Sequence, residues 1–148
     1  MLIQMVSNPF VQALGGLIIF YIGLKMFSGG MKAMGKLEHL EYFIHNPYWM
    51  FLGGIVCTLL WQSSSLSTTA IVGLVASGAL PLQSGIACVL GANVGTTGTI
   101  WLAGIMVSEG MPTGITRQIA IVHTSVNLLM AATLLPFISA IARFVSKF

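Results

Sequence analysis

Residues 47–80 carry no Asp, Glu, Lys or Arg, yet their midpoint, Trp61-Gln62-Ser63-Ser64-Ser65, gathers one amide and three hydroxyls. That combination restricts the fold more than anything else in the chain. An unbroken helix over residues 47–78 extends for about 48 Å, well past a hydrocarbon core of about 30 Å. Broken at the polar cluster, each half reaches only about 21–24 Å, too short to cross alone. Two half-length helices that meet at a polar break describe a re-entrant hairpin, entering and leaving by one face with its tip at membrane depth. One long tilted helix is the other geometry of this length. Polar groups at that depth cost free energy unless protein, water or a bound solute satisfies them. A ligand is the most economical partner.

The lipid setting follows from composition. Of 148 residues, 56% are hydrophobic and 6% charged, against about 25% charged in a soluble domain. The expected class is an all-α integral membrane protein, polytopic, with no soluble domain appended. Met1-Leu2-Ile3-Gln4-Met5 lacks a basic region followed by a cleavage site, so no cleaved signal peptide is expected. Cys57 and Cys88 lie in apolar spans at a spacing that fits no redox or zinc motif, and read as packing residues. The net charge of +3 suits membrane anchors. It does not suit a nucleic-acid surface, because the cations do not cluster with aromatics.

The chain divides into five segments within one transmembrane unit, 1–148. Asn8-Pro9 marks a cap and first turn, and residues 1–36 contain a first spanning helix whose glycines suit close packing in lipid. Lys25 lies about 24 Å along it and can snorkel to the far interface, with Lys32 and Lys36 beyond. Residues 37–46 mix charge and apolar side chains as a short interfacial helix. Residues 47–78 are the hairpin, closed by the turn Ser77-Gly78-Ala79-Leu80-Pro81. Residues 82–106 form a span expected to be discontinuous around Gly91-Ala92-Asn93-Val94-Gly95-Thr96-Thr97-Gly98-Thr99. After a polar loop at Glu109, residues 114–146 form a last helix kinked at Pro136. No internal repeat is visible. Three crossings plus a returning hairpin leave the termini on opposite faces.

Three polar groups then carry the chemistry. Ser63, Ser64 and Ser65 precede a helix that begins near Leu66. A helix N-terminus with free N–H groups and hydroxyls makes an anion site without a fixed cation. A tip capped by its own serines is the bland alternative. Gly91 and Gly95 form a G-x-x-x-G pattern, which alone means helix packing. With Asn93, Thr96 and Thr97 added, an unwound backbone offers oxygens suited to a hard cation such as sodium. Threonines bonding back to their own helix are the competing explanation. His123 and Asn127, four residues apart on one helix face, are ligands or a hydrogen-bonded pair that holds the last helix against the unwound span. The only acids, Glu38, Glu41 and Glu109, lie in loops or at interfaces, so no carboxylate proton relay exists at membrane depth.

The glycine-rich first helix over residues 16–30, the Gln62-Ser63-Ser64-Ser65 tip, the Gly91-Ala-Asn-Val-Gly-Thr-Thr97 segment and His123-x-x-x-Asn127 occur in this order. Together they resemble one repeat of the type II sodium–phosphate cotransporter family, over residues 14–137. The resemblance implies a secondary transporter of inorganic phosphate, not an enzyme, with sodium as coupling ion and no other cofactor. It implies phosphate at Gln62, Ser63, Ser64 and Ser65, and sodium or substrate at Asn93, Thr96 and Thr97. His123 and Asn127 match the pattern with a role left open between support and ion site. Location in a cell (inner) membrane, multi-pass, follows.

Family members carry two such repeats in inverted topology; this sequence shows one, three crossing helices plus a hairpin. One repeat supplies half a site, so a second copy inserted upside down is expected, an antiparallel homodimer of dual topology. Lys25, Lys32, Lys36, Arg143 and Lys147 fall on one face and Arg117 on the other, a bias that instead favours one orientation and an inverted hetero-partner. Transport of another oxyanion, a passive anion pathway, and a non-transporting regulatory or assembly subunit are the alternative functions.

Overall fold

The structure, a computed structural model, describes residues 8–34, 38–108 and 113–148. The N-terminal Met1 to Met5, Lys36 and Leu37, and the loop around Glu109 lie outside the described residues. Among those described, every regular element is helical. Three stretches are long and apolar enough to cross a membrane: Pro9–Gly30, Leu82–Val107 and Gly114–Val145.

Helix α1, Pro9–Met34, starts where the sequence signals it. Asn8 accepts a hydrogen bond from the Phe10 N–H at 2.9 Å, and Pro9 occupies the first turn. Helix α2, Glu38–His45, covers the stretch expected to form a short helix after the first span. Its Ile44 is buried in a cluster with Leu74, Leu80 and Cys88, and an edge-on contact of 5.1 Å joins Phe43 to Trp49. Helix α3, Pro47–Trp61, is capped by Asn46, whose side chain accepts from the N–H groups of Tyr48 and Trp49. Helix α4, Ser64–Ala76, follows after only two residues.

The turn after α4 is a Schellman motif. Gly78 takes φ 71°, its N–H reaches the Val75 carbonyl, and the Ala79 N–H reaches the Leu74 carbonyl. Helix α5, Leu82–Ser108, then runs for 27 residues. Helix α6, Gly114–Leu134, gives way at Pro136 to a 3-10 turn, Leu135–Phe137, before α7, Ile138–Val145. Proline removes a backbone donor there, and the tighter turn absorbs the break.

One expectation fails: α5 is not interrupted at residues 91–99. The reason lies on α3. A Cβ at Gly91 would stand 2.0 Å from the Phe51 carbonyl oxygen, and one at Gly54 would stand 2.1 Å from the Cys88 carbonyl oxygen. These glycines bring two backbones together, which keeps the helix wound.

Close approaches also fix direction. Gly91, Gly95 and Gly98 of α5 meet Phe51, Ile55 and Leu59 of α3 in ascending order, so α3 and α5 are parallel. Thr58 of α3 bonds Ser67 of α4, and Gly85 of α5 meets Val75, so α4 runs back against both. Leu24 and Ser28 of α1 meet Gly73 and Ser77, making α1 parallel to α4. Trp101 of α5 bonds Thr124 of α6, while Ala87 and Leu90 of α5 cluster with Ile138, Leu134 and Leu135. Hence α5 opposes both α1 and α6, and Pro9 and Val145 lie at opposite ends of the bundle.

The burial pattern is that of a membrane protein. The most completely enclosed side chains of any size are Thr58, Ser67 and Ser84, whereas Leu17, Ile19, Val72 and Leu129 face outward. Where the solvent is lipid, small residues pack inside and large aliphatic ones cover the surface.

Candidate functional site

The break between α3 and α4 consists of Gln62 and Ser63. Gln62 sits at φ 53°, the one non-glycine residue with positive φ among those described. Such a conformation costs a residue with a Cβ roughly 1–2 kcal/mol. Here it terminates α3: the Gln62 N–H donates to the Thr58 carbonyl at 2.8 Å, and the side-chain amide donates to the Leu59 carbonyl. The amide is thereby folded over the end of α3; one of its two N–H groups is used there and the second is left to another acceptor.

Ser63 is extended, with φ −144°, and its hydroxyl accepts from the Leu66 N–H at 3.3 Å. It is therefore the cap, and α4 begins at Ser64 rather than near Leu66. Ser64 and Ser65 occupy the first turn, where no earlier carbonyl of the same helix can meet their N–H groups. Ser63 and Ser64 are half-buried, and Gln62 and Ser65 are exposed. Capping consumes one serine hydroxyl and leaves those of Ser64 and Ser65 to other partners. Beneath this tip is a chain of donation that sequence reading missed. Thr58 donates to the Ser67 hydroxyl at 2.9 Å, and Ser67 donates to the Ser63 carbonyl at 3.0 Å. Both side chains are fully enclosed. The signal was present: Thr58 is four residues before Gln62 and Ser67 four after Ser63, so a hairpin sets them face to face.

The remaining predicted residues line α5 and α6 at the same depth. The α3–α5 register puts Leu59 beside Gly98, and the α4–α5 register, continued from Val75 at Gly85, brings the start of α4 alongside residues 93–96. From Trp101 at Thr124, the α5–α6 register sets His123 and Asn127 level with residues 98–102. One layer roughly 14 Å deep, at residues 93–102 of α5, thus contains every candidate.

Within that layer the side chains are differently engaged. Asn93 and Thr96 are half-buried and Thr97 is buried. Thr96 donates back to the Ala92 carbonyl at 3.0 Å and Thr97 to the Val94 carbonyl at 2.8 Å. Carbonyls freed by unwinding, expected as cation ligands, are therefore not present; the oxygens on offer are those of Asn93, Thr96 and Thr97 themselves. Of the two readings of His123 and Asn127, the structure contains a hydrogen bond between the two residues, but one that stays within α6. Asn127 donates to the backbone carbonyl of His123 at 2.8 Å, inside its own turn. The bond across to α5 is Trp101 Nε1 to Thr124 Oγ1 at 3.0 Å. His123 Nδ1 is enclosed and finds no partner among the described residues.

Chemically the layer offers hydroxyls, amides and a helix N-terminus, with no acid in any of its helices. This donor set suits a solvated oxyanion at the tip and a hard monovalent cation beside it.

Residues 19–147 match the family model described as Na+/Pi-cotransporter. The chain is 35% identical over 134 residues to the sodium-dependent phosphate transport protein 2A of Rattus norvegicus, covering 86% of this chain and 21% of that protein. It is 32% identical over 133 residues to the sodium-dependent phosphate transport protein 2B of Homo sapiens, covering 85% of this chain and 19% of that one. An uncharacterized protein of Bacillus subtilis, YqeW, is 30% identical over 134 residues, 89% of this chain and 42% of its own. The chain therefore spans about a fifth of the length of the mammalian transporters it matches. No solved structure matches it.

Proposed function

The chain belongs to the Na+/Pi-cotransporter family, and from that premise we propose that it is one repeat of a sodium-coupled transporter of inorganic phosphate. The observation that carries the reading is the break at Gln62 and Ser63, which exposes the N-terminus of α4 with Ser64 and Ser65 halfway along the bundle.

In this reading α3 and α4 form a re-entrant hairpin. At 15 and 13 residues they reach about 22 and 20 Å, short of the bilayer core. Phosphate is held at the tip by the hydroxyls of Ser64 and Ser65, the first-turn N–H groups and the Gln62 amide, with Ser63 fixing the turn. Sodium at the oxygens of Asn93, Thr96 and Thr97 offsets the anion's charge, so the two bind together. His123 and Asn127 support this layer from α6. Transport proceeds by alternating access as the hairpin moves against α5 and α6.

One repeat provides half of such a site. A second copy in inverted orientation completes it, with the paired tips on the two-fold axis.

The test is uptake of labelled phosphate by liposomes containing the purified protein, driven by a sodium gradient. Ser64→Ala and Gln62→Ala are each expected to reduce it more than tenfold while the protein remains folded. Unchanged uptake in both variants overturns the site. Absence of uptake by the unaltered protein supports a regulatory or assembly role. Equal inhibition by arsenate and sulfate widens the substrate to tetrahedral oxyanions in general.

A further inference from the structure

We propose that the groove between α1 and α4 binds the headgroup of an anionic phospholipid. The groove encloses about 550 Å³ and is walled by Tyr21, Leu24, Lys25, Ser28, Gly73 and Ser77, among others. It lies on the flank of α4 away from the tip of the hairpin and shares no residue with the phosphate site.

Three observations point to an anion there. Lys25 is the sole cation among residues 9–31 of α1, and α4 contains no charged residue. Neither α1 nor α4 contains an Asp or Glu in its sequence. Lys25 lies with its ammonium 5.3 Å from the Tyr21 ring centroid and remains exposed. A cation in an apolar helix with no carboxylate in the facing helix calls for a counter-ion from outside the chain.

The obvious internal use for Lys25, neutralising the end of α4, is already served. The Gly73, Leu74 and Val75 carbonyls accept the N–H groups of Ser77, Ala79 and Gly78, and the Ser77 hydroxyl donates to Leu74 as well. Ser28 and Ser77, with hydroxyl oxygens 2.5 Å apart, are engaged with each other. Among the described residues the Lys25 ammonium rests on the Tyr21 ring and has no carboxylate partner.

Depth selects a lipid over a soluble anion. The groove ends at the turn where α4 stops and α5 begins. At that end of the bundle Gln83 bonds Ser139 of α7, whose neighbours include Arg143 and Lys147. This is the cation-rich end, where phospholipid headgroups meet the protein. Below Lys25 the floor is the Leu24 side chain seated on Gly73, an apolar surface suited to an acyl chain. Charge above and hydrocarbon below is the chemistry of a phospholipid.

The experiment uses the full chain in phosphatidylcholine nanodiscs doped with spin-labelled phosphatidylglycerol or spin-labelled phosphatidylcholine, reading the immobilised fraction. The unaltered protein is expected to retain phosphatidylglycerol selectively. Lys25→Gln should lower that selectivity about fivefold, the equivalent of one lysine near a lipid surface. Ala76→Phe, which fills the groove without altering charge, should lower it as well, while Lys147→Gln changes it less than twofold. Equal retention of both lipids by the unaltered protein overturns the proposal. So does selectivity that survives Lys25→Gln, falls equally with Lys147→Gln, or is displaced by millimolar inorganic phosphate.

Discussion

At the scale of single residues, the hairpin depends on where each hydroxyl proton goes. Thr58 gives its proton to Ser67, and Ser67 gives its own to the Ser63 carbonyl, in a pocket without exposure. The direction of donation makes the two ends unequal. Removing Ser67 strands the Thr58 donor and costs about 1–3 kcal/mol, whereas Thr58→Val leaves Ser67 bonded to Ser63 and costs about 0.5–1.5 kcal/mol. The expected result, from reversible unfolding in bicelles, is therefore that Ser67→Ala is the more damaging change. The coupling between the two should be about 0.6 kcal/mol and not above roughly 1.7, the range for hydrogen bonds between membrane helices. Equal losses from both variants with no coupling would show that the bond holds nothing. Gln62 belongs to the same scale. Its backbone accepts the left-handed region although a glycine would do so freely. An amide retained at a strained turn is consistent with a side chain kept for the ligand, and the uptake test of Gln62→Ala addresses that directly.

At the scale of elements, the seam between α3 and α5 is the rigid part against which the hairpin tip is held. Backbone meets backbone at Gly54, Gly91 and Gly95, while Gly15 on α1 faces open space. Gly91→Ala should therefore destabilise the fold by about 1–3 kcal/mol through overpacking. Gly15→Ala should be neutral or slightly stabilising, since alanine is the better helix former. A denaturation series of the two variants checks this, and equal stability would contradict the seam. The same residues show what the sequence could and could not reveal. Asn8-Pro9 and Gly78 are local signals, and a helix begins or ends at each of them as read, whereas the Asn46 cap went unread and α4 starts at Ser64, two residues before the expected Leu66. The continuity of α5 was not legible. A glycine-threonine run permits unwinding and permits tight packing, and the choice rests on the Phe51 and Ile55 carbonyls forty residues earlier. For the same reason the sequence leaves Asn127 open between a ligand and one half of a hydrogen-bonded pair with His123. Nothing local says that its amide finds the His123 carbonyl and that Thr124 makes the contact with Trp101.

At the scale of the whole molecule, the directions of the helices bear on how two copies meet. Because α1, α5 and α6 alternate, a second copy related by a two-fold axis in the membrane plane presents its α4 N-terminus toward the first from the opposite face. In an isologous contact, residues on the axis meet their own counterparts. Paired tips at the axis therefore require Ser64 of one copy to approach Ser64 of the other. Cys57 is exposed and Cys88 is buried, so Cys57→Ala removes the reactive background thiol while leaving the enclosed one. On that background, Ser64→Cys is expected to give a disulfide-linked dimer under mild oxidation in intact membranes. Phe10→Cys, at the far end of α1, should remain monomeric, since inversion carries the two copies of that residue to opposite faces. Sodium and phosphate together should slow the Ser64→Cys cross-link if they occupy the space between the tips. The cations oppose this arrangement: Lys25, Arg143 and Lys147 lie toward one end and Arg117 toward the other, which favours a single orientation. Cross-linking decides between the two forces. A dimer through Ser64→Cys means that pairing of the tips outweighs the charge bias, and a cross-link through Phe10→Cys alone means that the copies lie parallel and the inverted partner is a different chain.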